Sequence, residues 1–415
     1  MIKSIHIKNF KSVVDLNLDL GRFNILVGEN GCGKSNILEA IAFGAAASAN
    51  KLDFEFLGSR GIRITNPEFV FSAFDINDKK PRNIRIVFNT DDDLFKSVSY
   101  NLTNAPDNPK KWINVSKEVE ATQSGENLST ILFQKDERKR EKDLNQLFKG
   151  NRLYISEIEK FADEILKVTK EKGQEEDSIN FFKYIFSLFL NDRFSNPVIS
   201  NFVIYSPEQS SIRKFEETTQ LYPLGIRGEG LFQYLKELET GNDFSLVLNE
   251  IKENLQLLDW FENFIIPSDL LKNEFTLKIK DKYLSPSLQY FDQRSTNEGF
   301  LYLLFYSTLF ISQATPVFFA IDNIDSALNP KLCIELTRNL SELAKRHNKQ
   351  VILTTQNPAV LDGLDLSNDD HRLFVVRRND EGHTKLNRIE YKSERRLKLS
   401  EIWLNGYIGG LPENF

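Results

Sequence analysis

The sequence predicts an α/β domain built on a largely parallel sheet and interrupted by a helical insertion. Three observations carry this expectation. In the last third, the apolar segments 316–321 (PVFFAI) and 350–354 (QVILT) are separated by a helical stretch at 330–346. Continuous apolar strands alternating with helices indicate a parallel sheet covered on both faces. Near the N-terminus, the apolar run 23–27 (FNILV) passes through a glycine-rich loop into a helix. Between these regions, residues 100–200 turn Lys/Glu-rich.

Taken in order, residues 2–7 (IKSIHI) and 23–27 have strand patterning and flank a short polar stretch, and 83–88 (NIRIVF) alternates in the same way. A helix opens at Gly33 and runs through Phe43. Apolar residues at helical spacing, among them Phe161, Ile165 and Leu166, predict helices in the insertion. Strand character returns at 202–205 (FVIY), and Leu231, Phe232, Tyr234 and Leu235 have helical spacing. A helix at 299–312 precedes the apolar strand of the last third. The expected organisation is thus 1–100 and 201–415 as two parts of one head, with 101–200 as the helical insertion.

Composition narrows the function classes. The net charge of −6 makes the whole chain a poor electrostatic magnet for nucleic acid. The run from Gln134 to Lys142 alternates in sign, the mark of a solvated helix, and Arg395, Arg396 and Lys398 form a second small basic group. No run of about 18 apolar residues predicts a membrane span, and the chain enters a strand pattern without a leader-like segment. Two cysteines, Cys32 and Cys333, cannot build a disulfide framework, so a reducing cytoplasm is expected.

The most specific signal is Gly28-Glu29-Asn30-Gly31-Cys32-Gly33-Lys34-Ser35, which fits G-x-x-x-x-G-K-[ST] between an apolar strand and a helix. Glycines let the backbone curl so that N–H groups face a phosphate at the positive end of a helix. Asn30, Gly31, Cys32, Gly33, Lys34, Ser35 and Asn36 are therefore the expected contacts of ATP. Lys34 would reach the β- and γ-phosphates, and the Ser35 hydroxyl would ligate Mg²⁺. Asp322, where the apolar strand 316–321 ends, is the expected second metal residue. An Asp that merely caps a strand end is the bland alternative.

Beyond that loop, the chain resembles a family. Residues 7–12 (IKNFKS) and 26–41 (LVGENGCGKSNILEAI) look like the opening of the SMC, RecF and OLD-type AAA-family ATPases, which share the ABC-type nucleotide-binding head. Tyr205-Ser206-Pro207-Glu208, residues 322–330, Thr354-Thr355-Gln356-Asn357-Pro358 and the ending 399–412 continue the likeness, which spans most of the chain outside 100–200. Within the group it most resembles the stand-alone ATPase subunits of bacterial anti-phage systems. The resemblance implies an ABC-type head (a P-loop NTPase with a mixed sheet in two lobes) that dimerises head to head and assembles into a higher oligomer. It adds Lys11 and Ser12 to the nucleotide contacts. It also puts Asn297 and Gly299 in the signature that meets the partner's nucleotide, with Asn297 where a serine is usual and Ser295 and Thr296 nearby. Ser326-Ala327-Leu328-Asn329 would communicate across the dimer.

Two positions depart from that pattern. The family's catalytic glutamate is Asn323, which can position water but cannot take its proton. Its switch histidine is Gln356, a donor without a titratable nitrogen. The expectation is therefore firm ATP binding with slow or absent hydrolysis, unless Asp325 supplies a base. The four histidines form no metal or nuclease constellation, so any effector would be another polypeptide; the resemblance implies a separate nuclease subunit of the HNH type, with DNA met indirectly or weakly. The competing reading is a RecF- or SMC-like repair ATPase that clamps DNA by hydrolysing ATP. The segment Trp403-Leu404-Asn405-Gly406-Tyr407 is either a docking element or a packed tail. The insertion is expected to make the oligomer contacts peculiar to this branch.

Overall fold

A computed structural model describes residues 1–74, 83–92, 95–108, 110–121, 138–139, 142–143, 196–214, 221–240, 245–267, 276–394 and 396–411. Strands β1 (Ile2–Phe10) and β2 (Val13–Asp19) form a hairpin, and β3 (Phe23–Val27) then leads into the helix Lys34–Ser48. β4 (Ile84–Thr90), β5 (Phe95–Asn104) and β6 (Trp112–Ala121) complete an antiparallel sheet of order β2-β1-β4-β5-β6. In β1 the period-two pattern turns Ile5 and Ile7 inward and leaves Lys8 and Asn9 outside the core.

The second sheet draws its strands from both ends of the chain. It contains β7 (Ile204–Tyr205), β11 (Phe318–Ile321), β12 (Gln350–Thr355), β13 (His371–Arg378) and β14 (Thr384–Ile389), in the order β14-β13-β3-β12-β11-β7. All its pairings are parallel except β13 with β14. A small third sheet, β8 (Phe261–Ile265), β9 (Lys278–Asp281) and β10 (Phe291–Asp292), lies before the helix Glu298–Ile311. Among the described residues, no helix is long and apolar enough to cross a membrane.

Two apolar cores share the parallel sheet. Leu26, Phe318, Ala320, Ile352 and Phe374 face the antiparallel sheet and the Lys34–Ser48 helix. Their neighbours Ile25, Val27, Phe319, Ile321, Val351 and Leu353 face the helices Glu298–Ile311 and Pro330–Arg346. The Lys34–Ser48 helix lies between the two sheets and is buried on nearly every side. Its run of Ala and Gly after Glu39 fits that confinement, because small side chains let both sheets approach.

One buried amide joins the sheets. Gln350 Nε2 donates to the carbonyls of Ile2 (2.7 Å) and Gly21 (2.8 Å), while its Oε1 accepts from Ile2 N at 2.8 Å. Beside it, Lys349 is 1% exposed, and its ammonium donates to the Thr315 carbonyl and hydroxyl at 3.0 and 2.8 Å. Burial lowers its pKa from 10.5 to about 8. The folded state therefore sheds this proton before the unfolded state does, so stability rises with pH between about 8 and 10.5. We expect wild type to gain about 2 kcal/mol from pH 7.5 to 9.5 relative to Lys349→Met. Urea unfolding of both proteins across that range checks this.

The structure moves one boundary. An insertion starting at 101 would cut through β5 and exclude β6, yet both belong to the antiparallel sheet. The reason is that β6 is an edge strand whose charges face solvent, where they suit an edge and mimic helical composition. Its Glu120 pairs with Lys96 at 2.8 Å. The N-terminal part thus runs to Ala121. Phe161, Ile165, Leu166 and most of the Gln134–Lys142 run lie outside the described residues. From that run, Arg138, Lys139 and Lys142 are exposed and helical. Arg395 and Pro412 are also outside, whereas Arg396 and Lys398 are exposed.

Candidate functional site

The loop 28–35 leaves β3 at its C-terminal end and enters the Lys34–Ser48 helix directly. Two of its glycines have distinct physical reasons. A Cβ on Gly28 would lie 2.2 Å from the Val376 carbonyl on β13, so only glycine lets the loop start there. Gly33 has φ 109°, and a Cβ on it would lie 2.1 Å from the Thr384 hydroxyl. No side chain caps this helix, and its first turn carries no acidic residue. Its first N–H groups and its dipole are thus left for an anion.

Lys34 is 6% exposed, and its Nζ donates to the Gly28 and Glu29 carbonyls at 2.7 and 2.8 Å. Among the described residues, no carboxylate pairs with it. A buried ammonium without a counter-charge is costly alone and suits a site that takes a phosphate. Ser35 Oγ donates to Asp322 Oδ2 at 3.0 Å, and the Thr354 hydroxyl holds the other carboxylate oxygen. A hydroxyl and a carboxylate at the loop's mouth are hard oxygen donors of the kind Mg²⁺ prefers. The residues present therefore fit a magnesium–nucleotide. Asp322→Asn is expected to remove the Mg²⁺ dependence of nucleotide affinity, which titrations with and without EDTA would detect.

The other predicted contacts divide in two. Gly31 is open, with no atom within 4 Å of a would-be Cβ, and Asn30 is exposed and accepts from Gln356 Nε2 at 2.5 Å. Cys32 turns its side chain into the core, and Ser12, Asn36 and Lys11 stand behind the loop. Burial pushes the Cys32 thiol up, despite Lys34 nearby. Ser12 is 2% exposed and accepts from Asn36 Nδ2 at 2.7 Å. Lys11 and Arg63 both pair with the buried Glu39, which ties the β1–β2 turn to the helix.

Asn323 is exposed, with φ 57°, and its N–H donates to Thr354 Oγ1 at 2.9 Å. Asn tolerates the left-handed region better than most residues do. Asp325 accepts from the Thr355 hydroxyl at 2.7 Å and lies close enough to Tyr306 and Cys333 to raise their pKa values. Burial, with Asp325 second, pushes Cys333 up to about 11. That carboxylate is half-buried, with one oxygen held by Thr355 at the end of β12.

Asn297 and Gly299 stand apart from the chain's own phosphate loop. Asn297 caps the Glu298–Ile311 helix by accepting from Phe300 N at 2.9 Å, and a Cβ on Gly299 would lie 3.7 Å from Leu328. The signature and the 326–329 loop thus meet within one chain. Of the neighbouring hydroxyls, Ser295 is exposed and donates to Asp292 at 3.1 Å, and Thr296 is 6% exposed. Sequence reasoning missed Arg213, whose Nη1 donates to the carbonyls of Gln293, Arg294 and Thr296 at 2.9, 2.9 and 3.0 Å. It fastens the turn before the signature across 80 residues, and no local pattern announces that.

Near the C-terminal end, Ile402 and Trp403 are buried and Gly410 lies against Val375 and Gly28, while residues 404–407, Leu404 and Tyr407 among them, stay exposed. A cleft of about 530 Å³, lined by Arg22, Arg338, Lys345, Asp370 and His371 among others, opens where β3 and β13 begin. That is the end of the sheet remote from the loop, and no predicted site residue lines it.

A family model described as "AAA domain, putative AbiEii toxin, Type IV TA system" matches residues 23–362. The chain belongs to this AAA family. Its fold is an α/β ATPase head with mixed sheets, similar to an SMC head solved with the C-winged helix domain of ScpA bound. That likeness has a TM-score of 0.52 at 17% identity, over 94% of this chain and 98% of the other. The SMC head domain of Thermotoga maritima aligns with a TM-score of 0.46 at 13% identity, over 94% and 99% of the two chains. Over 43 residues, 10% of this AAA chain, the sequence is 54% identical to the uncharacterized protein MJECL10 of Methanocaldococcus jannaschii. That stretch spans 20% of the relative's length.

Proposed function

We propose that this AAA protein is an ATP-binding regulatory subunit of an anti-phage defence complex, like the Septu ATPase PtuA. In this reading it holds MgATP, hydrolyses it slowly or not at all, pairs head to head, and assembles further to control a separate HNH-type nuclease that degrades DNA. One contrast carries the reading. Lys34, Ser35 and Asp322 are arranged for MgATP, while the position after Asp322 holds an amide, Asn323, and Asp325 accepts from the Thr355 hydroxyl. Such a head acts by differential binding, since nucleotide stabilises one assembled state without turnover. The exposed signature turn fits a second copy's nucleotide, and the ScpA domain on the related SMC head supports a protein partner.

The test combines three readouts: MgATP affinity, phosphate release, and oligomer size with and without nucleotide. DNA cleavage that appears only with a neighbouring gene's product would support the defence role. The SMC-like fold also favours a second reading, a DNA-clamping repair ATPase. Brisk turnover together with steeply salt-dependent DNA binding by the isolated chain would replace the first reading with this one.

A further inference from the structure

Thr384 begins β14, outside the stretch matched by the family model, and is 0% exposed. Its Oγ1 donates to the Cys32 carbonyl at 3.0 Å and lies 2.7 Å from Ser12 Oγ. Its N–H donates to the Ser12 carbonyl at 2.8 Å. Each hydroxyl has one proton, so the order of donation is determined. Asn36 Nδ2 donates to Ser12, Ser12 to Thr384, and Thr384 to the Cys32 carbonyl.

The consequence follows from the planar trans peptide. The Cys32 carbonyl and the Gly33 N–H belong to one unit and point in opposite directions. Drawing that carbonyl back to Thr384 turns the Gly33 N–H toward the inner side of the loop. The same side chain fills the space a Cβ on Gly33 would need. Relays of this kind strengthen each member and restrict the loop to one shape. Resting on the nucleotide reading above, we propose that Thr384 is a positioning residue that presets the phosphate loop for nucleotide phosphate.

The test compares Thr384→Val, which keeps the shape without the hydroxyl, with Thr384→Ser, which keeps the hydroxyl. MgATP affinity is measured at a temperature where circular dichroism finds all proteins folded. Thr384→Val is expected to weaken binding about tenfold and Thr384→Ser less than about threefold. Equal affinity for Thr384→Val and wild type overturns the proposal, and so does an equal loss in both variants, which would assign the effect to packing. Should Thr384→Val not fold, Ser12→Ala decides by the same measure, because it removes the donor to Thr384. Wild type that binds no MgATP at all would overturn the nucleotide reading itself, and this proposal with it.

Discussion

Replacing Lys34 with Ala is expected to weaken MgATP binding by about 10²–10³-fold while the protein stays folded. The Lys34 ammonium is nearly enclosed and is held by two loop carbonyls at 2.7 and 2.8 Å. Hydrogen bonds from a charged group are each worth about 1.5–3 kcal/mol, so losing two to a phosphate removes about 3–6 kcal/mol, and the expected loss in affinity takes the lower part of that range. The fold tolerates the change because removing a buried charge that has no counter-ion also removes its desolvation cost, which offsets the two lost hydrogen bonds to the loop carbonyls. Calorimetric titration of MgATP into wild type, Lys34→Ala and the volume-conserving Lys34→Met measures this. Unchanged affinity in both variants would show that the loop is not the nucleotide site.

The second large effect concerns turnover. Wild type is expected to hydrolyse ATP slowly, and Asn323→Glu to raise the rate at least tenfold. A positioned general base contributes a factor of about 10²–10⁴, and Asn323 follows directly on the carboxylate that joins Ser35 at 3.0 Å. The backbone there has φ 57°, which costs Glu about 1 kcal/mol more than Asn. The gain in rate should therefore come with a slightly lower Tm. Single-turnover phosphate release separates the possibilities. Rapid release by wild type, unaltered by Asn323→Glu, would mean that another group supplies the base.

Much of the fold was legible along the chain because the inner strands of the parallel sheet are apolar on both faces. The strand 23–27, the helix Pro330–Arg346 and the strand at 350–355 needed no distant information, and neither did the loop from Gly28 to Ser35. Strand β6 was harder: its Glu and Lys residues are those of a solvated helix, and only its pairing with β5 makes them edge charges. The site divides in the same way. Lys34, Ser35 and Asp322 could be named because each is marked by its immediate neighbours.

The sequence by itself determined the phosphate loop, the alternation that builds a parallel sheet, and the amides at Asn323 and Gln356, which only the resemblance to the ATPase family marks as departures from a base and a histidine. These are statements about residue type at short spacing, and short spacing survives in any fold that keeps the local element. Tertiary structure alone decided how the loop is held. It tied Asp325 to Thr355, brought Arg213 under the turn before Asn297, and set Thr384 behind Gly33. Those partners are up to several hundred residues apart, and a hydroxyl or a guanidinium has no role until the chain folds back to give it an acceptor.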